Sequence, residues 1–384
     1  MKDVSVEVAN EERVGERKVG DVVIYGGGIA GALLARQLSA TAKVILVDPL
    51  DYFEVSMAAP RNLVKPDFSR QSIMPFAKAL PRVDHVAARL TELTSEGGIV
   101  EDASGRRLLV TGKAAVLATG NRFANELVRG QEGSGADRHA FYQRFHDRLA
   151  GAERILLIGG GPIGVEVAGE ITEAWPHKHV TLVESQPRIL RGTSEAAAAR
   201  AASILEKRGV TILTGQRIDG LLSNLQDVFA GSGEVTTDAG QVIAYDLAIL
   251  CIGGRPNTAF MKQNFASRLT PDGHVKVAAD LRVKGERTIF ALGDITDLAE
   301  NKMAFHIRGH VKVAATNIRS ILAGKSPSLS YKPRTGDPTM VVTRGSRTGV
   351  AHLPLFGHTR WSWLVRKVKA EHMLVPNYAK IFSL

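Results

Sequence analysis

Sulfur chemistry is nearly absent from this chain, whose 384 residues include a single cysteine, Cys251. One thiol cannot close a disulfide within the chain or run a dithiol relay, and it cannot supply the ligand sets of iron–sulfur or zinc sites. Aromatic residues are sparse at 6%. No uninterrupted apolar stretch reaches the roughly 20 residues that span a bilayer as a helix. The opening MKDVSVEVANEERVGERKVG is too charged for a secretory leader, and Lys2 stands where N-myristoylation would need glycine. Residues 1–18 therefore read as a flexible, solvated tail. The expected location is cytoplasmic, with peripheral attachment to a membrane as a variant.

Glycine, by contrast, is plentiful: 38 residues in a chain that is 44% apolar, as expected of a globular α/β protein with room for two to three domains. Twice it falls in the pattern Gly-x-Gly-x-x-Gly. Asp21 to Tyr25 (DVVIY) reads as a buried strand, Gly26 to Gly31 as a turn, and the following small residues as a helix start. In such a unit the first glycine makes the tight turn, the second lets a pyrophosphate approach the backbone, and the third lets helix and strand pack closely. The helix N-terminus adds unpaired N–H groups and a positive dipole end. A second strand, KVILV, ends at Asp48, seventeen positions after Gly31, where a carboxylate can hold ribose hydroxyls. The arrangement repeats with RILLI, the turn Gly159–Gly164 and the strand VTLV ending at Glu184, twenty positions after Gly164. One dinucleotide needs one unit, so two units point to two dinucleotides and electron transfer between them.

Three apolar segments fit beside these units. AAVLATG, ending in Ala118, Thr119 and Gly120, and DLAILCIGG, ending in Gly253 and Gly254, suit crossings between domains next to a cofactor. TIFALGDITD runs into Gly293-Asp294, where the carboxylate can accept from a polyol or serve as a turn or helix-capping acid.

In order, GGGIAG, Asp48, ATG, GGGPIG, Glu184 and ALGD resemble the two-dinucleotide-domain flavoprotein reductases. The finer similarity is to the branch with type II NADH dehydrogenases and the apoptosis-inducing-factor-like, ferroptosis-suppressor-type quinone reductases. It is supported by VDPLDYFE, MAAPRNLV, VTLVESQPRIL and KMAFHIRGHVKVAATNI followed by YKP, and it covers roughly residues 20 to 335. The resemblance implies FAD in the first unit, NAD(P)H in the second, and hydride transfer between them. On this sequence, Gly26, Gly28, Ile29, Ala30, Gly31 and Asp48 would hold FAD, with Arg61, Val86, Ala118, Thr119 and Gly120 lining it and Asp294 on its ribityl chain. Gly159, Gly161, Pro162, Ile163, Gly164, Glu184, Gly253 and Gly254 would hold the coenzyme. Glu184 would favour NADH over NADPH by repelling a 2′-phosphate, a rejection that Arg188 and Arg191 could soften. Glu166 resembles the family glutamate near the nicotinamide, or is a surface helix acid. Lys302, with Glu166 and His310 a candidate catalytic residue, and Met303 would face the flavin at the start of a helix whose positive end suits anionic reduced flavin.

The expected fold class is accordingly α/β: two Rossmann-like dinucleotide-binding domains and a small C-terminal α+β domain. The FAD domain would comprise 19–120 and 252–327, with the NAD(P)H domain 121–251 inserted and 328–384 forming the C-terminal domain.

Without a cysteine pair, electrons must leave the flavin directly. His306 and His310 lie four apart, and His177 and His179 flank Lys178, but neither pair has a third ligand at metal spacing, so no metal is expected. His310 reads instead as a flavin-side or acceptor-pocket residue able to protonate a reduced quinone. The glutamines that type II NADH dehydrogenases carry on this helix are missing.

Net charge is +10, and residues 325–384, with ten Lys or Arg against two acids, carry +8 of it. Trp361, Trp363 and the neighbouring cations of RWSWLVRKVK suit an anionic membrane interface or, equally, a covered core. Lys369 falls where the quinone-reductase relatives carry a pocket lysine. An FAD-dependent NAD(P)H:quinone oxidoreductase is the leading expectation. The alternatives are a reductase of an acidic carrier such as ferredoxin or rubredoxin, and a redox-sensing or nucleic-acid-binding protein of apoptosis-inducing-factor type. Nucleic acid is the less expected partner, and the oligomeric state is not readable from the chain.

Overall fold

The computed structural model describes residues 16–123, 127, 129–130, 133–218, 229–335, 340–343, 349–353, 357–359 and 371–384. Trp361, Trp363 and Lys369 lie outside the described residues, as do residues 1–15. The first strand, Arg17–Tyr25, starts inside the expected tail, with Arg17 and Lys18 paired to Leu109 and Val110. Its last four residues, Val22 to Tyr25, are buried on both faces, as a central parallel strand requires.

Seven strands form the first sheet. Asp84–Val86, Val44–Val47, Arg17–Tyr25 and Arg107–Leu117 run parallel in that spatial order, and Gly98–Asp102 and Ala88–Leu93 continue it antiparallel. Ile289–Ala291 also pairs in parallel with Ala115–Leu117, returning the chain to this sheet after the second one has been made. The second sheet orders Val210–Thr214, His179–Glu184, Arg154–Ile158 and Leu247–Leu250 in parallel, with Phe229–Ala230 antiparallel at its edge. The protein is α/β, with two Rossmann-like dinucleotide-binding domains.

In each domain the helix after the glycine turn, Ile29–Leu38 or Pro162–Ala174, packs its small and branched residues on the sheet. Helix Ala304–Leu322 lies against Ile29–Leu38, where Val311, Ala314, Ala315 and Ile318 share a core with Leu34, Ala35 and Leu38. The chain ends as strands followed by a helix. Met340–Thr343, Gly349–Leu353 and Gly357–Thr359 form an antiparallel sheet beside helices of the second domain. Helix Val375–Phe382 turns back to the first domain, where the Tyr378 ring packs tilted and the Phe382 ring edge-on against Phe53, at 5.4 and 5.0 Å. Among the described residues no helix is long and apolar enough to cross a membrane.

Candidate functional site

The two glycine turns are built alike. Gly26 and Gly159 sit at φ +105° and +110°, a conformation that residues with a Cβ rarely adopt. A Cβ on Gly31 would fall 1.8 Å from the Gly26 carbonyl oxygen, and one on Gly164 would fall 2.0 Å from that of Gly159. The third glycine of each fingerprint thus lets the helix rest on its own turn.

The strand-end acids also match. Asp48 Oδ2 accepts the Gly27 N–H at 2.5 Å and Oδ1 accepts the Leu50 N–H at 3.0 Å. Glu184 Oε2 accepts the Gly160 N–H at 2.7 Å and Oε1 the Gln186 N–H at 2.8 Å. Each carboxylate is held beside its glycine loop, at the carboxyl end of a parallel strand where dinucleotides bind.

One difference separates the two loops. Arg129 donates to Asp48 Oδ2 at 2.5 Å, and its Nη1 lies 3.3 Å from where a Gly28 Cβ would stand. At Gly161 nothing comes within 4 Å of the same point. Sequence reading missed Arg129 because it belongs to no motif.

A cleft of about 930 Å³ opens between the domains, within the ~300–1,000 Å³ typical of small-molecule sites. Its wall contains Gly28, Ile29, Ala30, Ala118, Thr119, Gly120, Asp294, Lys302 and Met303 from the first set of expected residues, together with Pro162, Ile163 and Glu166 from the second. Glu166 is buried on the first turns of the second fingerprint helix. Thr119 and Gly120 are fixed by Asn257, whose carbonyl accepts from Thr119 Oγ1 at 2.7 Å and whose N–H donates to Gly120 at 2.9 Å. Helix Ala304–Leu322 starts at the cleft, where Met303, Ala304, Phe305, Ile307 and Arg308 form part of the wall. Leu374, Asn377, Tyr378 and Ile381 add the C-terminal helix to the wall.

Burial raises the Asp294 carboxyl above its ordinary value, against the pull of the Lys302 ammonium. Burial likewise lowers Lys302, against the pull of Asp294, Glu300 and Asp297. The Lys302 ammonium donates to the Thr296 and Leu298 carbonyls at 2.7 and 3.1 Å, which staples the loop after the Asp294 turn.

Several expected residues lie elsewhere. His310 is not in the cleft wall. Its Nδ1 accepts the Gly293 N–H at 3.2 Å and its Nε2 faces Glu300 Oε1 at 2.8 Å, so both ring nitrogens are engaged within the protein. Arg61 is also off the wall: its guanidinium makes two 2.7 Å bonds to Glu170, because a buried cation is stable only when paired. Val86 stands beside Asp48, with its carbonyl accepting the Asp48 N–H at 3.1 Å. Gly253 and Gly254 belong to the interdomain crossing, where a Cβ on Gly254 would lie 2.9 Å from the Arg122 carbonyl. Cys251 is buried against the second turn, its Cβ 3.3 Å from a Cβ built on Gly164, and burial pushes its thiol up to about 12.

A family model described as pyridine nucleotide-disulphide oxidoreductase matches residues 20–319. The chain belongs to that family. As a pyridine nucleotide-disulphide oxidoreductase family member it is an NAD(P)H-dependent flavoprotein oxidoreductase, although Cys251 alone can form no disulphide within it. It is 30% identical to ferroptosis suppressor protein 1 of Mus musculus, with 92% of this chain and 93% of that protein aligned. It is 26% identical to apoptosis-inducing factor homolog B of Dictyostelium discoideum, with 93% and 95% aligned. Among solved structures, the NAD-dependent persulfide reductase from A. fulgidus shares the fold at TM-score 0.66 and 17% identity, over 87% of this chain. This chain spans 62% of that longer protein.

Proposed function

We propose that this chain carries electrons from NADH to a quinone, with FAD resident on the Gly26–Gly31 side of the cleft and NADH exchanging on the Gly159–Gly164 side. The observation that carries the reading is that one cleft has both fingerprint turns in its wall. The site fits a dinucleotide on structural grounds: two glycine turns too tight for any Cβ at their third glycine, two acids held at the loops, and a cleft of matching size. Bound FAD supplies the two-electron chemistry that side chains lack.

The residues then divide the work. The free N–H groups at the start of helix Ile29–Leu38 hold the diphosphate, Asp48 takes ribose hydroxyls, and Arg129 adds a cation at the phosphates. Thr119 and Gly120 line the cofactor and Asp294 accepts from its ribityl hydroxyls. The start of helix Ala304–Leu322 directs its positive end at the region where negative charge accumulates on reduction. Glu166 orients the nicotinamide, and Glu184 selects NADH by repelling a 2′-phosphate. Met57, Phe305, Leu374, Tyr378 and Ile381 give the cleft the apolar wall that a quinone ring needs. The basic C-terminal stretch supports approach to an anionic membrane surface, where quinones dissolve.

The test is anaerobic. NADH should bleach the yellow holoprotein, and a short-chain ubiquinone should restore the oxidised spectrum rapidly. A flavin that NADH reduces but quinone leaves reduced would refute the quinone acceptor and turn attention to acidic carrier proteins.

A further inference from the structure

We infer that His310 is a positioning residue: a neutral imidazole that fixes the Gly293–Asp294 corner and thereby aims the Asp294 carboxylate into the cleft. The inference rests on the reading of Asp294 as a ligand of bound FAD.

The tautomer follows from the partners. A backbone N–H can only donate, so His310 Nδ1, 3.2 Å from the Gly293 nitrogen, must be bare. The ring proton then sits on Nε2 and is donated to Glu300 Oε1 at 2.8 Å. Glu300 is itself fixed, since Oε2 accepts the Tyr331 hydroxyl at 2.7 Å and the Arg334 N–H at 3.1 Å. The Tyr331 ring stands edge-on to the imidazole at 4.5 Å, and the Tyr331 N–H donates to the Ala279 carbonyl at 2.7 Å. The imidazole is therefore held from three sides.

The corner needs such a partner. Gly293 sits at φ +78°, and its carbonyl is already taken by Thr296, whose hydroxyl and N–H donate at 2.8 and 3.2 Å. His310 supplies the acceptor for the remaining polar group of that residue. With both groups of Gly293 held, the backbone leading into Asp294 has one orientation. Tyr331, Glu300, His310 and Gly293 form a continuous line from the entrance of the C-terminal region to the cofactor-facing acid, although the cleft wall contains none of the first three.

The arrangement works only with a neutral ring. The charged and titratable groups around it are Glu300 and Tyr331 in direct contact, His306 with Nδ1 3.6 Å from Glu300 Oε2, Lys302, and Arg334 through its backbone. Burial holds His310 below its ordinary value of 6.5, against the pull of Glu300, and Lys302 and His306 add to the lowering. Acid would place a second N–H against that of Gly293 and release the corner.

Two substitutions separate the nitrogens. In His310→Asn an amide oxygen stands near the Nδ1 position, whereas His310→Gln reaches toward Glu300 and leaves the Gly293 N–H unmet. FAD affinity is read by flavin fluorescence on apoprotein at about pH 7.5, where the ring is neutral. His310→Asn should bind like the wild type, while His310→Gln weakens by about tenfold, the worth of one buried hydrogen bond. Equal binding by His310→Gln and wild type, or equal loss in both variants, would overturn the positioning role alone. Wild-type apoprotein that takes up no FAD would overturn the cofactor reading beneath it.

Discussion

Arg61 and Glu170 meet as a bidentate pair, Nε to Oε2 and Nη2 to Oε1 both at 2.7 Å, with 3% and 2% of their side chains exposed. Arg61 comes from the short helix Ala59–Val64 of the first domain, and Glu170 from the second fingerprint helix, one turn beyond Glu166. Arg61 Nη1 also donates to the Glu371 carbonyl at 3.3 Å. Two domains and the C-terminal segment are joined at one guanidinium.

Replacing Glu170 by Gln removes the negative charge from that buried bidentate pair. Unfolding free energy should fall by about 3–5 kcal/mol, and the double variant Arg61→Met/Glu170→Met should recover most of it. Chemical denaturation of the three proteins checks this, and a single variant as stable as wild type would count against the pair as an interdomain tie.

Alanine at Gly31 or Gly164 forces a Cβ into the carbonyl of its own turn. Gly31→Ala should purify without flavin colour. Gly164→Ala should stay yellow yet resist bleaching by NADH. Absorbance before and after NADH distinguishes the two losses, and the same phenotype in both would contradict the division of the cofactors.

Arg129→Met removes the cation that distinguishes the first loop from the second. FAD should bind about tenfold more weakly, consistent with loss of a charge-assisted hydrogen bond of about 1.5 kcal/mol. The KM for NADH should not move. Equilibrium dialysis gives the first quantity and steady-state kinetics the second.

Glu184 Oε2 and Oε1 are fixed on the Gly160 and Gln186 amides, which holds the carboxylate beside the second glycine turn. Glu184→Ser should narrow the ratio of kcat/KM for NADH over NADPH by about tenfold or more. Equal kcat/KM for the two coenzymes in the wild type would refute the assignment.

Asp246 ties the edges of two second-domain strands, accepting from the Arg154 side chain at 2.7 Å and from the Arg154 and Glu153 N–H groups at 2.7 and 3.1 Å. The Arg154 side chain and these amides hold its carboxyl at about 2 rather than the ordinary 3.8. Its folded value is depressed, so its stabilising contribution is present above 3.8 and disappears as pH falls toward 2. Acid titration of Asp246→Asn should show a shallower loss of stability across that window than wild type.

The α/β class and both glycine turns were legible because their constraints are local. A Cβ at Gly31 or Gly164 collides within five residues, and the acids follow at a spacing set by one helix and one strand. The family resemblance implies Arg61 as a cofactor contact, but its partner Glu170 is 109 positions away and only the domain packing brings them together. Arg129 went unseen because a linker arginine has no pattern before the fold places it over Gly28. The position of His310 was legible as the face of a helix near the cofactor, yet its orientation depends on Glu300 and Tyr331, which helical spacing does not reveal.

Cys251, buried against the second glycine turn with a thiol that ionises only near pH about 12, offers alkylating agents and peroxide no nucleophile. Turnover should need no thiol reductant for activation and should survive iodoacetamide. That immunity would distinguish this protein in a crude extract from family members that pass electrons through a cysteine pair.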